Sequence, residues 1–414
     1  MKLATIAYRN ISRNRRRSFL CIMAIAIAAM SIVLLFSFLA GMKADMRNNI
    51  QSFFTGQVRV RHAEYDDKEQ LNPLHLRVTA YEDLLERIDG LEGVSAAVPR
   101  ISFPGFAEPP TVSNPDGENV AAMGIGLDFS REEAFQEVSM SLREGRLPEQ
   151  GKFEMMIGSG LAQKLDKKLG DSVTILTTTM RRGANAATFT ITGIADFRMG
   201  SLNQSYYYIP LDRAQHLLGM GDSVTEVLVK FEEGVSDSEA ENRVSAVLDP
   251  ESKFLARDWR ELNLMVQYMD IADIAYSIIA FIFFVLASTV IVNSIMMIIY
   301  ERMREIGTIG ALGMQGNEIV RLFFLEAFFL ALIGTIAGVV IGIGLTLLLS
   351  YTGIDFSSSM QGVDIEISNI IYPKLNLVST VGVFFFAVAV ASLSSLIPTR
   401  RAAKIEPVEA LRHL

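Results

Sequence analysis

The chain has 414 residues, half of them apolar, with 38 basic and 46 acidic side chains, a net charge of −8 and a mean hydropathy of +0.30. A hydropathy that high places part of the chain in lipid and excludes disorder as its main state. One cysteine excludes a disulfide scaffold, the acidic balance argues against nucleic acid as a partner, and long apolar runs without alternation argue against an outer-membrane barrel.

Residues 1–18 carry Lys2, Arg9, Arg13, Arg15, Arg16 and Arg17 and no acid, and read as a cytoplasmic lead-in helix. The uncharged run Phe19 to Leu39 is long enough to cross ~30 Å of hydrocarbon as a helix, which places a first span at 19–41. It is too long for the apolar region of a signal peptide and no small-residue cleavage site follows, so it reads as a retained anchor. A second span is expected at 271–300, with Asp273 at its start. A third is expected at 322–350, with Glu326 one turn inside, and a fourth at 377–397, uncharged from Leu377 to Ile397. The charged pieces between them are 301–321, 351–376 and a tail at 398–414. Lys and Arg collect in the first 17 residues, at Arg302, Arg304 and Arg321, and at Arg400, Arg401, Lys404 and Arg412. The positive-inside rule therefore puts both termini and segment 301–321 in the cytoplasm, and 42–270 and 351–376 outside.

Region 42–270 holds 24 basic and 36 acidic residues, a net charge of −12, and reads as mixed α/β. Gln57-Val58-Arg59-Val60-Arg61 alternates like a half-solvated strand. Helical spacing covers Tyr81 to Ile88, Gly158 to Leu169 and Asp212 to Leu218. Strands are expected at Val94 to Phe103, Val173 to Thr177, Thr188 to Ile194, Asn203 to Pro210 and Glu226 to Phe231. The fold class is thus a membrane protein of four transmembrane helices with a large mixed α/β extracytoplasmic domain inserted between the first two.

Candidate chemistry is thin. His62, His75, His216 and His413 have neither i, i+4 pairing nor a Cys partner, so no metal site is expected. There is no GxSxG, and Cys21 lies in the first span. The acidic pairs Asp66-Asp67 and Glu132-Glu133 read as solvated faces. Gly334, Gly338 and Gly342 recur every four residues in the third span, which lets another helix approach closely. Asn293 and Ser294 in the second span read as interhelical hydrogen-bonding groups. The spans carry no series of internal charges, which disfavours an ion-coupled carrier, and four spans enclose little, which favours an oligomer.

The segment Glu301-Arg302-Met303-Arg304-Glu305-Ile306-Gly307-Thr308-Ile309-Gly310-Ala311-Leu312-Gly313-Met314 places its charges before an apolar, glycine-broken turn. It reads as a short helix on the membrane surface with an apolar tip able to dock into a partner.

At these residues the chain resembles a known family. ERMREIGTIGALGMQGNEIVRLFFLEA and IPTRRAAKIEPVEALR look like the coupling segment and tail of ABC-transporter permeases of the MacB, FtsX and lipoprotein-releasing superfamily. YRNISRNRRRSFL is similar to that family's cytoplasmic lead-in helix. LREGRLPEQGKFEMMIGSGLAQKLDKKLGDSVTI and FTITGIADF resemble the lipoprotein-releasing (LolC/LolE-like) branch. The resemblance implies a dimer of permeases, identical or related, in a bacterial inner membrane, with its large domain in the periplasm. It also implies a separate ATPase holding ATP and Mg, since this sequence has no GxxxxGK[ST] loop and is not itself expected to be an enzyme. Arg304, Glu305, Gly307, Leu312, Gly313 and Met314 would contact the ATPase or shape the segment that does. The implied work is mechanotransmission, most simply release of triacylated lipoproteins to a periplasmic carrier. Ile32, Leu35, Leu39, Ile271, Ile274 and Ile278 would line a greasy cavity facing lipid. A MacB-like exporter of peptides or drugs and an FtsX-like regulator of a periplasmic enzyme are the alternatives. The FtsX branch usually has a much smaller outer domain.

Overall fold

The computed structural model describes residues 2–13, 15–108, 119–197, 199–232, 234–261, 263–356 and 370–402. The chain divides into two compact units, one of Met1–Ala44, Ile271–Asp355 and Ile370–Leu414, the other of Asp45–Asp270 and Phe356–Asn369.

Among the described residues four helices are long and apolar enough to cross a membrane: Ser18–Thr55, Asp270–Glu301, Gly316–Thr352 and Leu377–Arg401. The regular α-helices at the first three run for 36, 39 and 37 residues, or roughly 54–59 Å at 1.5 Å per residue, well beyond the hydrocarbon thickness. Their backbone hydrogen bonding continues past the apolar runs, because the flanking Lys, Arg, Glu, Asn and Met residues are compatible with a helix. Residues 316–321, expected in the connecting segment, are consequently the first turns of the third long helix.

Ile25, Ile32, Ile291, Ile295, Ile299, Leu330, Val383 and Ala387 form the core of the first unit. The lead-in helix Lys2–Arg13 is amphipathic, burying Ala7 and Ile11, and its Tyr8 ring meets Phe329 edge to face at 6.0 Å. The glycine series faces the first long helix. A Cβ on Gly334 would lie 3.0 Å from Ile22 O, one on Gly338 would lie 2.3 Å from Ala26 O, and one on Gly342 would lie 3.1 Å from Val33 Cβ. Residues 357–369 of the expected outer loop and 403–414 of the tail lie outside the described residues.

In the second unit the strands Val94–Ala107, Val120–Leu127, Tyr206–Pro210, Glu154–Gly158, Ala184–Ala195 and Ser172–Thr178 hydrogen-bond in that order. The last pairs back with the first, so the ring closes and leaves no free edge. Phe103, Phe189, Met155, Ile175 and Tyr207 belong to the core of this unit. From Val94–Ala107 the sheet also extends through Glu226–Phe231 and Val58–His62 to Phe254–Asp258. Helices Tyr81–Asp89 and Asp237–Val247 pack against these strands.

Three local expectations need correction. Asn203–Pro210 is not one strand: Gly200–Ser205 is a short helix and the strand begins at Tyr206. The helix expected from Gly158 to Leu169 is confined to Ser159–Lys164. Arg59 and Arg61 are not solvated; the strand lies between two others and its polar face is covered.

Candidate functional site

The connecting segment is specified residue by residue. Arg302 breaks the second long helix, and Met303–Ala311 forms a separate short helix. Its C-terminus carries the two hydrogen bonds of a Schellman motif, from Met314 N–H to Ile309 O (3.3 Å) and from Gly313 N–H to Gly310 O (3.0 Å). Gly313 supplies the positive φ, +95°, that this turn requires. Met314 and Ile309 both pack on the bundle core, the apolar contact that accompanies the motif. Gln315 then caps the third long helix in a reciprocal capping box with Glu318, whose Oε2 accepts from the Gln315 N–H at 3.2 Å.

Between these two stops stands Leu312, 84% exposed, with Ala311 and Gly313 exposed beside it. An apolar side chain thus stands exposed at the apex of a turn whose backbone is held on both sides. Ile306 and Gly307 are buried on the inward side of the short helix. Glu305 is half-exposed and holds Arg302 Nη2 at 3.0 Å; Arg304 lies in the helix's first turn.

The segment is anchored by ions. Arg302 is 2% exposed and Glu326, on the third long helix, 5%, and the two form an ion pair through Nη1 and Oε1. The guanidinium also lies over the Phe323 ring, 5.6 Å from its centroid. Arg302 Nε and Glu326 Oε2 are buried without a hydrogen-bond partner.

The second unit carries a comparable clamp. Arg100 donates from Nε and Nη2 to the two Glu132 oxygens at 2.6 and 2.9 Å, and from Nη1 and Nη2 to the carbonyls of Phe53 and Ser52 at 2.8 and 2.9 Å. Those carbonyls belong to the π-helical turn Gln51–Thr55 that ends the first long helix. Burial alone would lower the Arg100 pKa, but the Glu132 charge and its hydrogen bond outweigh it and raise it. Glu132 is therefore not on a solvated face, nor is Asp66, whose Oδ1 accepts from Arg59 at 2.9 Å and Arg61 at 3.2 Å. Glu226 completes that cluster at 2.9 Å from Arg61 Nε. Among the described residues no group of three His, Cys, Asp or Glu side chains converges to hold a metal.

The six residues expected to line a greasy cavity separate into two sets. Ile32 and Leu39 are buried within the chain's own packing, Ile32 in the bundle core, so neither faces an open cavity; Leu35 is half-buried. Ile271, Ile274 and Ile278 are exposed, and the last two line an open hollow of about 420 Å³ with Asp273, Ser277 and Phe281.

Comparison with known proteins matches residues 18–247 to the MacB-like periplasmic core domain and residues 277–407 to the FtsX-like permease C-terminal domain. The chain belongs to the MacB/FtsX family of ABC-transporter permeases. It is 23% identical to the lipoprotein-releasing system transmembrane protein LolC of Neisseria meningitidis, over 97% of this chain and 96% of that one. It is 24% identical to the macrolide export ATP-binding/permease protein MacB of Campylobacter jejuni, over 98% of this chain and 60% of that longer one. Among solved structures, it is similar to the periplasmic region of MacB from Actinobacillus actinomycetemcomitans (TM-score 0.38, 14% identity, 54% of this chain and 97% of that one). The extracellular domain of YknZ from Gram-positive bacteria is also similar (TM-score 0.35, 17% identity, 49% and 99%).

The sequence leaves open whether Glu326, near the cytoplasmic edge of the third span, reaches water or Arg residues, and the structure pairs it with Arg302. The signal in the sequence is a lone acid in an apolar run, which calls for a cation within reach. Arg302 was the obvious candidate, one helix away.

Proposed function

We propose that this permease couples ATP hydrolysis in a separate ATPase subunit to the release of lipoproteins from a bacterial inner membrane. The observation that carries the coupling half is the tip at Leu312, an exposed apolar residue on a turn rigidified by a Schellman motif and a capping box. The ATPase, with its ATP and Mg, docks there from the cytoplasm. Both termini lie on that side and residues 45–270 lie in the periplasm. A second permease chain, identical or related, and lipid cover the exposed apolar side of the second long helix, where Ile271, Ile274, Ile278 and Phe281 stand out.

The lipoprotein half rests on the similarity to LolC along almost the whole length of both chains. Acyl chains hold a lipoprotein in the bilayer by ~0.8 kcal/mol per buried CH₂, so two or three chains anchor it nearly irreversibly and extraction needs a motor. A periplasmic carrier would receive the cargo.

The test is depletion of the permease followed by separation of inner and outer membranes. Lipoproteins accumulate in the inner membrane if the reading is right. The second reading, export of a drug or peptide, is favoured by the similarity to MacB at 24% identity. Normal lipoprotein sorting together with new drug sensitivity would select it and reject release.

A further inference from the structure

Arg302 and Glu326 put an ion pair into the interior of the helical unit, 2% and 5% exposed. A structural need at this position could be met by two well-packed apolar side chains, because replacing a buried ion pair in that way is often neutral or stabilising. The pair is also incompletely satisfied. Among the described residues Arg302 Nε and Glu326 Oε2 are buried with no hydrogen-bond partner, and a native structure leaves few such atoms without a reason.

The three groups involved sit on three pieces of chain. Arg302 is the junction between the second long helix and the short helix, donating its N–H to Ile299 O and accepting from Ile306 N–H. Glu305 is in the first turn of the short helix, and Glu326 is three turns into the third long helix. One guanidinium is therefore shared by a half-exposed carboxylate that moves with the tip and a buried carboxylate that moves with the membrane helix.

We propose that Arg302 is the positioning residue of the coupling step, a charged pivot that transmits displacement of the tip to the third long helix through Glu305 and Glu326. This rests on the reading that the tip docks on an ATPase. Movement of the short helix changes the share of the guanidinium held by Glu305. Nε and Oε2, unpartnered here, are the atoms free to form the second set of bonds, so the pair has two arrangements without leaving a charge stranded. The Phe323 ring faces the guanidinium at 5.6 Å from its centroid, a contact that fixes no single hydrogen-bond geometry.

The experiment uses the complex purified through a tag on this chain and placed in nanodiscs, in a Cys21→Ala background. Tyr351→Cys, 88% exposed near the far end of the third long helix, reports the motion by its rate of maleimide labelling with and without ATP and vanadate. The unaltered pivot should give a severalfold change in rate between the two states. Arg302→Met/Glu326→Leu should assemble with the ATPase and lose that change, and Arg302→Lys, which keeps the charge without the fork, should retain part of it. A double variant that assembles and keeps the full response overturns the proposal. Should it not fold, Glu305→Gln carries the test: loss of the response with assembly intact supports the pivot, and a full response overturns it. Absence of any nucleotide response, or of any ATPase, in the complex with Arg302 and Glu326 intact rejects the coupling reading itself, and the pivot with it.

Discussion

Gly338 is where the first and third long helices come closest along the glycine series. A methyl group there would sit 2.3 Å from Ala26 O and 2.9 Å from the Ala26 Cα and carbonyl carbon. These are backbone atoms and cannot rotate away. An ordinary carbon-to-oxygen approach is about 3.3 Å, so Gly338→Ala must part the helices by roughly 1 Å. Overpacking of this kind costs about 1–3 kcal/mol, and the better helix propensity of Ala returns up to ~1 kcal/mol. The backbone obstacle puts the clash at the upper end, leaving a net loss of about 2 kcal/mol. At roughly 2–4 °C per kcal/mol for a unit of this size, melting should fall by about 4–8 °C.

Cys21 makes the assay direct. It is the sole cysteine, it is buried, and it lies on the helix that Gly338 touches. A thiol-reactive fluorogenic dye added during a thermal ramp in detergent therefore reports the opening of this contact. Gly344→Ala is the control, since nothing lies within 4 Å of its added Cβ. It should melt at or slightly above the parent temperature. A Gly338→Ala protein that melts as high as Gly344→Ala would refute the close approach.

Topology can be read in the Cys21→Ala background with Gln150→Cys and Thr308→Cys. A membrane-impermeant maleimide should label the first in intact spheroplasts and the second only after lysis; labelling of position 308 from outside sinks the orientation. Gly313→Val meets no neighbour, yet forces a β-branched residue to φ near +95°, at a strain of about 1–3 kcal/mol. Since 1.4 kcal/mol is tenfold in affinity, ATPase binding by pull-down titration should weaken about 5- to 140-fold while expression is unchanged. Unchanged affinity removes the turn from the docking site. Glu132→Gln leaves the Arg100 cation buried without a counter-charge, which costs about 3–5 kcal/mol. The fluorescence of Trp259, the single tryptophan, should show the second unit unfolding at much lower denaturant, and an unshifted midpoint would mean that water reaches Arg100.

The four spans were legible because lipid permits few solutions: about 20 apolar residues in a helix, with basic residues at one set of ends. The exposed turn was legible as a glycine-broken stretch after a charged one, although the Schellman geometry depends on the φ of Gly313, which no residue name states. The buried ions of the second unit were not legible. Arg59 and Arg61 alternate with valines, and period two looks the same whether the polar face meets water or a covering segment. Glu226, which meets Arg61, lies 165 residues away in sequence. The wrong placement of Ile32 and Leu39 has a different origin. Every face of a membrane helix is apolar, so hydropathy cannot distinguish a side chain packed on protein from one facing lipid.

The helix lengths bear directly on how a push at the tip could do work at a distance. Had the third long helix begun at Leu322, residues 315–321 would have formed a loop between tip and bilayer, and a loop absorbs displacement by rotating its own φ and ψ. The helix instead starts at Gly316, one residue after the capping Gln315, and runs unbroken for 37 residues, about 55 Å. Force applied at Leu312 therefore enters a hydrogen-bonded rod within four residues. A rod so stiff transmits translation well but cannot by itself decide the direction in which the tip yields. On the pivot proposal that choice falls to the contacts at its base, where the backbone of the turn is fixed by two caps and Arg302 stands between two carboxylates. The pivot proposal thus assigns rigidity to the backbone and adjustability to one guanidinium. Substitutions in the turn should accordingly alter whether the ATPase binds, and substitutions at Arg302 or Glu326 what its binding does.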